Sequence, residues 1–378
     1  MDVIATGMVS SLGYDVRTAC AAARAGLTRS TELPFMVRED DNSPGLAIGH
    51  PVPLFGGGFD GDARLIRLLE GALRDLNGRV SLDRLLSART GFYLALPAAN
   101  REHEGINLIP EEQRGDYIDQ LGEPTTIDEF ARARSILTAA LRMAGFPARL
   151  IATADGVKIS LSGHTAVVDL YERAQADLRS GRIGVAVVAA VDSLVTATAL
   201  SWLQATYRLK SAECPAGLSP GEAAAVVVLA SAEPSGQTEA VRARIARVAT
   251  MPNSTRFLAA EIADGAGQFE VLRALTSAID PSSDNLWLIV DQNGEVFRAA
   301  DWGRTLIRYR AIAPINAEPT IWYPAMSFGD TGAAAGAIAT CMATRAHEAG
   351  YAPSTHAIVM TNSDGPTRGG CVVSVSEE

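Results

Sequence analysis

The side chains able to do covalent or acid–base chemistry are few and scattered. Four cysteines (Cys20, Cys214, Cys341 and Cys371) lie far apart and form no Cys-x-x-Cys pair. A thiol in such isolation reads as a small buried hydrophobe, so no disulfide, metal or cofactor is expected. His103, between Glu102 and Glu104, sits in a polar stretch and reads as a solvated cluster, not a metal site. His164 belongs to Ser162-Gly163-His164-Thr165, a tight turn ahead of a helix, where an imidazole caps the helix, fills a pocket or serves as a base. Asp330 ends the turn Ser327-Phe328-Gly329-Asp330 just before a small-residue helix. There the helix dipole favours a carboxylate by ~0.3–1 kcal/mol. Asn293-Gly294 reads as a turn. Trp202, Trp287, Trp302 and Trp322 are expected as core or interface anchors.

The hydrophobic pattern supplies the scaffold for these residues. Residues 3–6 read as a short buried strand, 7–13 as a Gly/Ser turn, and 15–25 as a helix capped by Asp15 and stopped by Gly26. Residues 42–61, rich in proline and glycine, read as an irregular loop. The segment 63–76 is an amphipathic helix, with Leu65, Ile66, Leu69, Leu73 and Leu76 on one face. A strand is expected at 91–96, then a long helix at 126–144, capped by Thr126 and Glu129 and ended by Gly145. Next come a strand from Val157 to Leu161, the turn with His164, a helix at 166–179 and a near-continuous apolar strand at 185–191. Such strands belong to sheets covered on both faces. A loop at 208–221 leads into a strand at 222–230.

The second half repeats the order. It has a strand at 286–291, helices around 299–308 and 332–349, and strands at 356–361 and 371–376. We read this as a duplication of two β/α halves joined near 232–242, with mainly parallel sheets.

Composition narrows the function classes. Charged residues make up 20% and hydrophobic ones 47% of the 378, which excludes a largely disordered chain. The formal net charge is −10, and Lys158 and Lys210 are the only lysines. No basic run appears, so neither nucleic acid nor an anionic membrane surface is an expected partner. The first residues lack a basic stretch before an apolar one, and no apolar run nears the ~20 residues a bilayer requires. The expected location is cytoplasmic.

Five local sequences carry a family resemblance. Residues 4–16, Ile4-Ala5-Thr6-Gly7 through Leu12-Gly13-Tyr14-Asp15-Val16, resemble the first strand and loop of β-ketoacyl-carrier-protein synthases. Ser180-Gly181 with the strand ending at Asp192 resembles their Gly-Gly-Val-Asp strand, and Pro220-Gly221-Glu222-Ala223 their Gly-Glu-Gly/Ala strand. Gly329-Asp330-Thr331-Gly332-Ala333-Ala334-Ala335-Gly336 resembles Gly-His-x-x-Gly-Ala-Ala-Gly. Asn362-Ser363-Asp364-Gly365 with Gly369-Gly370 resembles the C-terminal glycine-rich loop. The resemblance implies an α/β, thiolase-like fold: two similar halves in a layered α-β-α-β-α core. The N-terminal half would be 1–235, with an irregular insertion at about 30–150, and the C-terminal half 236–378.

It also implies three catalytic groups. These are a cysteine at a helix N-terminus that attacks a thioester, and two histidines that stabilise the enolate formed on decarboxylation. Counting back from Gly181 places the cysteine's position at His164, or at Thr165 if one residue is inserted. The first histidine's position holds Asn293 and the second Asp330; the usual lysine is Ala325. An acyl-imidazole on His164 would be labile, and Thr165 has no evident base. An ionised Asp330 about 4 Å from an enolate costs ~4 kcal/mol at an effective dielectric near 20. That is nearly a thousandfold in rate. No functional catalytic residue is expected.

Two functions follow. The first is a non-catalytic ketosynthase-like protein that binds another protein. The resemblance implies a homodimer, or a heterodimer with a related chain, through the strand from Val157 to Leu161. It also points to accessory proteins that load type VI secretion effectors. The second is an acyltransferase or 3-oxoacyl-carrier-protein synthase with rebuilt chemistry, in which His164 and Asp330 form a new acid–base pair. An open tunnel beside that pair favours the enzyme; a plugged pocket favours the binding protein.

Overall fold

The computed structural model describes residues 1–38, 43–231, 243–252, 257, 263–277, 279, 285–312 and 319–375. Its strands are β1 (Asp2–Val9), β2 (Thr31–Arg38), β3 (Pro44–Gly49), β4 (Thr90–Ala95), β5 (Lys158–Ser160), β6 (Val185–Ser193), β7 (Glu222–Ala230), β8 (Ala243–Pro252), β9 (Trp287–Val290), β10 (Thr320–Trp322), β11 (His356–Asn362) and β12 (Thr367–Val375). The main sheet runs β10-β9-β11-β12-β8-β1-β7-β6-β4-β5, and β2 and β3 form a separate hairpin.

The pairing pattern occurs twice. β5-β4-β6-β7-β1 has two parallel pairs and then two antiparallel ones. β10-β9-β11-β12-β8 has the same sequence of pairs. Among the described residues the two blocks meet over two residue pairs, Asp2 with Arg244 and Val3 with Ala243. The linker expected at 232–242 lies outside the described residues.

Helices complete the layers. Ala166–Arg179 and Ala335–Glu348 lie between the blocks and touch strands of both. Their contact surface includes Val167, Leu170, Tyr171, Ala337, Ile338 and Ala346, all buried. The many alanines let the layers approach closely at the density of a packed interior. Gly61–Asn77 and Glu129–Met143 cover the outer face of the first block. Ala266–Thr276 and Val296–Ile312 cover that of the second. This is the α-β-α-β-α arrangement. It explains why every residue of β6 is buried and why its sequence from 185 to 191 is apolar without alternation. No helix among the described residues is long and apolar enough to cross a membrane.

Several expectations are corrected. Part of the stretch read as a loop at 42–61 is β3, paired with β2; Leu33, Val37 and Ala47 turn inward and anchor the hairpin to a small core. The stretch 30–150 is not an irregular insertion, because it supplies β4 and two of the covering helices. The helix placed at 126–144 starts later, at Glu129. Its cap is Asp128, whose carboxylate accepts from the amides of Phe130 and Ala131, so Thr126 lies outside it. Glu129 instead accepts from the Ala99 amide and pairs with Arg132. The helix placed around 299–308 spans Val296–Ile312. The one placed at 332–349 begins with a tight turn at Gly332–Ala334 before Ala335–Glu348.

Candidate functional site

Two matching turns position the site. Gly163 opens Gly163–Thr165 with φ 57°, and Gly332 opens Gly332–Ala334 with φ 50°. Each feeds a middle-layer helix. The left-handed conformation suits glycine. At Gly332 a side chain is excluded on space as well: a Cβ would stand 2.1 Å from Asp192 Oδ2. That carboxylate accepts from the Ala333 amide at 2.9 Å, while its other oxygen pairs with Arg101 at 2.6 Å. These contacts hold the Asp330 turn against the first block.

The three positions expected to match the family triad converge. His164 Nε2 lies 2.8 Å from Asp330 Oδ1, and Asn293 Nδ2 donates to Asp330 Oδ2 at 2.6 Å. The Gly332 amide donates to Asp330 Oδ1 at 2.8 Å. Thr165 is buried, but its hydroxyl donates to the Ser162 carbonyl and it does not line the cavity beside the other three. Ala325 does line that cavity.

Sequence reasoning missed the second tier. Arg298 Nη2 reaches His164 Nδ1 at 3.1 Å and Asp364 at 2.7 Å. Arg298 also pairs with Asp291 at 3.3 Å and Glu295 at 3.4 Å, and donates to the Asn362 carbonyl. Arg208 grips Glu295 through two bonds, 2.7 and 3.1 Å, and pairs with Asp364 at 2.9 Å. Asn293 donates to Glu295 at 2.8 Å as well. The available signal was the spacing Asp291, Asn293, Glu295, Arg298 just after an apolar strand, with Glu295 and Arg298 three residues apart in the helix register.

Protonation follows from these contacts. Burial opposes charge on Asp330, but His164, Arg298 and the Asn293 hydrogen bond overcome it and hold the carboxyl well below the usual range. Burial likewise opposes charge on Asp364, yet Arg208 and Arg298 bring it down to about 2. On Asp291 burial prevails and the pKa is raised. For His164, burial and Arg298 favour the neutral ring, Asp330 favours the cation, and the balance lies above the ordinary histidine value. Hydrogen-bond geometry decides its state. Arg298 has only donors, so Nδ1 must keep its lone pair and the proton sits on Nε2, facing Asp330.

This arrangement leaves little reactive capacity. Both His164 nitrogens and both Asp330 oxygens are engaged. The cavity lined by His164, Asp291, Asn293, Asp330, Met360 and Thr361 measures about 20 Å³. That holds one water, whereas a ligand pocket needs ~300 Å³ or more. Among the described residues the histidine–carboxylate pair therefore lies beside a cavity too small for an acyl chain.

The thiols are elsewhere. None of the four cysteines lines the cavity. Burial pushes Cys20 and Cys371 up to about 12 and raises Cys341 well above the usual thiol value. Cys214 is partly exposed, and burial and Glu295 raise it too. The folded protein should therefore give a disulfide reagent such as DTNB at most one slow equivalent, from Cys214, and all four after denaturation. Rapid reaction of a second thiol at neutral pH contradicts this placement.

Comparison with solved structures bears on the fold. The oxazolomycin ketosynthase domain of Streptomyces albus JA3453 superposes with a TM-score of 0.71 at 16% identity, over 100% of this chain and 75% of that one. A type II polyketide ketosynthase, solved in complex with its acyl-carrier protein, gives 0.72 at 13% identity over 100% and 99% of the two chains. The ishigamide ketosynthase/chain length factor gives 0.63 at 17% identity, over 100% and 99%. No protein-family model and no curated protein matches the chain. The repeated strand order, the five layers and these superpositions agree: the chain has the thiolase-type fold of the ketosynthases.

Proposed function

We propose that this chain is a non-catalytic ketosynthase-like protein whose work is to bind another protein. The observation that carries the reading is the closed network His164–Asp330–Asn293–Arg298 around a one-water cavity, formed by three of the residues that the sequence resemblance aligns with the family's reactive groups, together with Arg298. A condensing enzyme needs a thiolate and donors free to meet a developing enolate. Here the nucleophile position holds a neutral imidazole with both nitrogens occupied. The acyltransferase reading draws on the His164–Asp330 contact, but neither imidazole nitrogen is free to act as a base or nucleophile, and the cavity has no room for an acyl group.

The partner surface is the outer edge of β5, the short strand that ends the sheet. The similar structures include a ketosynthase with its carrier protein and a ketosynthase/chain length factor. By analogy, the partner of this chain is a second copy or a related chain. A type VI secretion effector is the further candidate, and it rests on the sequence resemblance alone.

Two measurements test this. Incubation with acyl- and malonyl-pantetheine thioesters, followed by intact mass, should show no adduct and no condensation product. Affinity capture from the native host should return one stoichiometric protein partner or a self-complex. An acyl adduct on His164 or Thr165 overturns the reading.

A further inference from the structure

The outward edge of β5 is not free. The Leu96 amide donates to the Ser160 carbonyl at 3.3 Å, so Ser160 faces β4. Strand alternation then turns the N–H and C=O of Ile159 away from β4, to where a further strand would lie. The carbonyl is already occupied: Arg173 Nη1, from the helix Ala166–Arg179, donates to it at 2.7 Å. The next outward donor, the Val157 amide, is held by the Ala154 carbonyl at 3.1 Å. Lys158, the first residue of β5, is paired with Asp177.

We infer that Arg173 guards this edge: a second copy of the chain can add its own β5 only when Arg173 leaves the Ile159 carbonyl. The inference rests on the reading of β5 as the partner surface and specifies how that surface is controlled. A second copy is the occupant because the edge is self-complementary. β5 is three residues long with one outward residue at its centre, so pairing Ile159 with Ile159 about a two-fold axis satisfies both N–H and both C=O groups. The same axis brings two Arg173 side chains together, so both must move. Unguarded edges are a standing liability for aggregation, and a cation over the strand is one way to blunt them. A guanidinium–carbonyl bond is worth roughly threefold to tenfold in an equilibrium constant. A dimer gives up two such bonds, so the guard weakens self-association by roughly 10- to 100-fold.

The test compares the full chain with Arg173→Met, which keeps the aliphatic stem, and with Arg173→Lys, which keeps a donor. Sedimentation velocity over a concentration series reads the dimer constant. Hydrogen exchange reads the Ile159 amide. The methionine variant should dimerise at roughly 10- to 100-fold lower concentration than the wild type, with the Ile159 amide newly protected and lysine intermediate. Identical self-association of wild type and Arg173→Met, monomeric or dimeric, overturns the guard. If both dimerise with the Ile159 amide protected, β5 survives as the partner surface and only the guard fails. If they dimerise with that amide still exchanging, the surface assignment fails too.

Discussion

Replacing Arg298 by methionine should lower the unfolding free energy by about 3–5 kcal/mol, the range found when one member of a buried ion pair is removed. The side chain is 2% exposed and lies among Asp291, Glu295 and Asp364, two of which, Glu295 and Asp364, it shares with Arg208. Methionine fills most of the space, so the loss reads charge and not cavity. The deficit should be larger at pH 8 than near pH 4. Carboxylates stripped of their cation can neutralise themselves in acid, and at high pH they cannot. Urea unfolding at both pH values measures this. The control is Arg273→Met, which breaks an exposed pair with Glu270 and should stay within about 0.5 kcal/mol of wild type. An Arg298 variant as stable as that control means that solvent reaches the cluster, and the closed-site reading goes with it.

The same cluster shows where the sequence is readable. Apolar runs such as β6 and β7, and the glycines at 163 and 332, act locally: they need only their own neighbours to become strands and turns. The layered fold and the positions of His164, Asn293 and Asp330 were therefore visible before any coordinates. The ion network was not. Arg208 and Glu295 are 87 residues apart, and His164 and Arg298 are 134 apart. No periodicity reports such pairing. Asp364 was legible only as a member of a glycine-rich loop, although its carboxylate bridges both arginines. The hairpin of β2 and β3 was missed for a different reason. Its outward face carries Met36, Leu46 and Ile48 and its glycines and prolines signal turns, so neither apolar alternation nor strand propensity stands out. Thr126 precedes Glu129 in a capping-box spacing, yet the cap is Asp128, whose carboxylate reaches the amides two and three residues on.

Asp330→Asn, the smallest change available at the centre of the site, should still cost about 2–4 kcal/mol at pH 7. The carboxylate accepts hydrogen bonds from His164 Nε2 and the Gly332 amide on one oxygen, and from Asn293 on the other. An amide has one acceptor oxygen. Turned one way, its NH₂ meets the Asn293 NH₂; turned the other, it meets His164 and the Gly332 N–H. His164 cannot relieve the clash by moving its proton to Nδ1, because Arg298 donates there. The pH dependence gives the claim its sharper test. In the wild type Asp330 is held well below the ordinary value near 3.9, so between the two values the folded state binds fewer protons than the unfolded one. Its stabilisation is complete above about pH 5 and drains away as pH falls below about 4. The asparagine variant has no such titration, so its stability gap from wild type should close in acid. Asp364, held at about 2, titrates in both proteins and sets a shared downward slope, which the difference removes. Urea midpoints at pH 7, 5, 4 and 3 read the gap directly. A gap that does not change with pH, or that is absent at pH 7, means Asp330 is not the anion that locks His164. The imidazole would then have a nitrogen available for chemistry, and the non-catalytic reading would lose its physical basis.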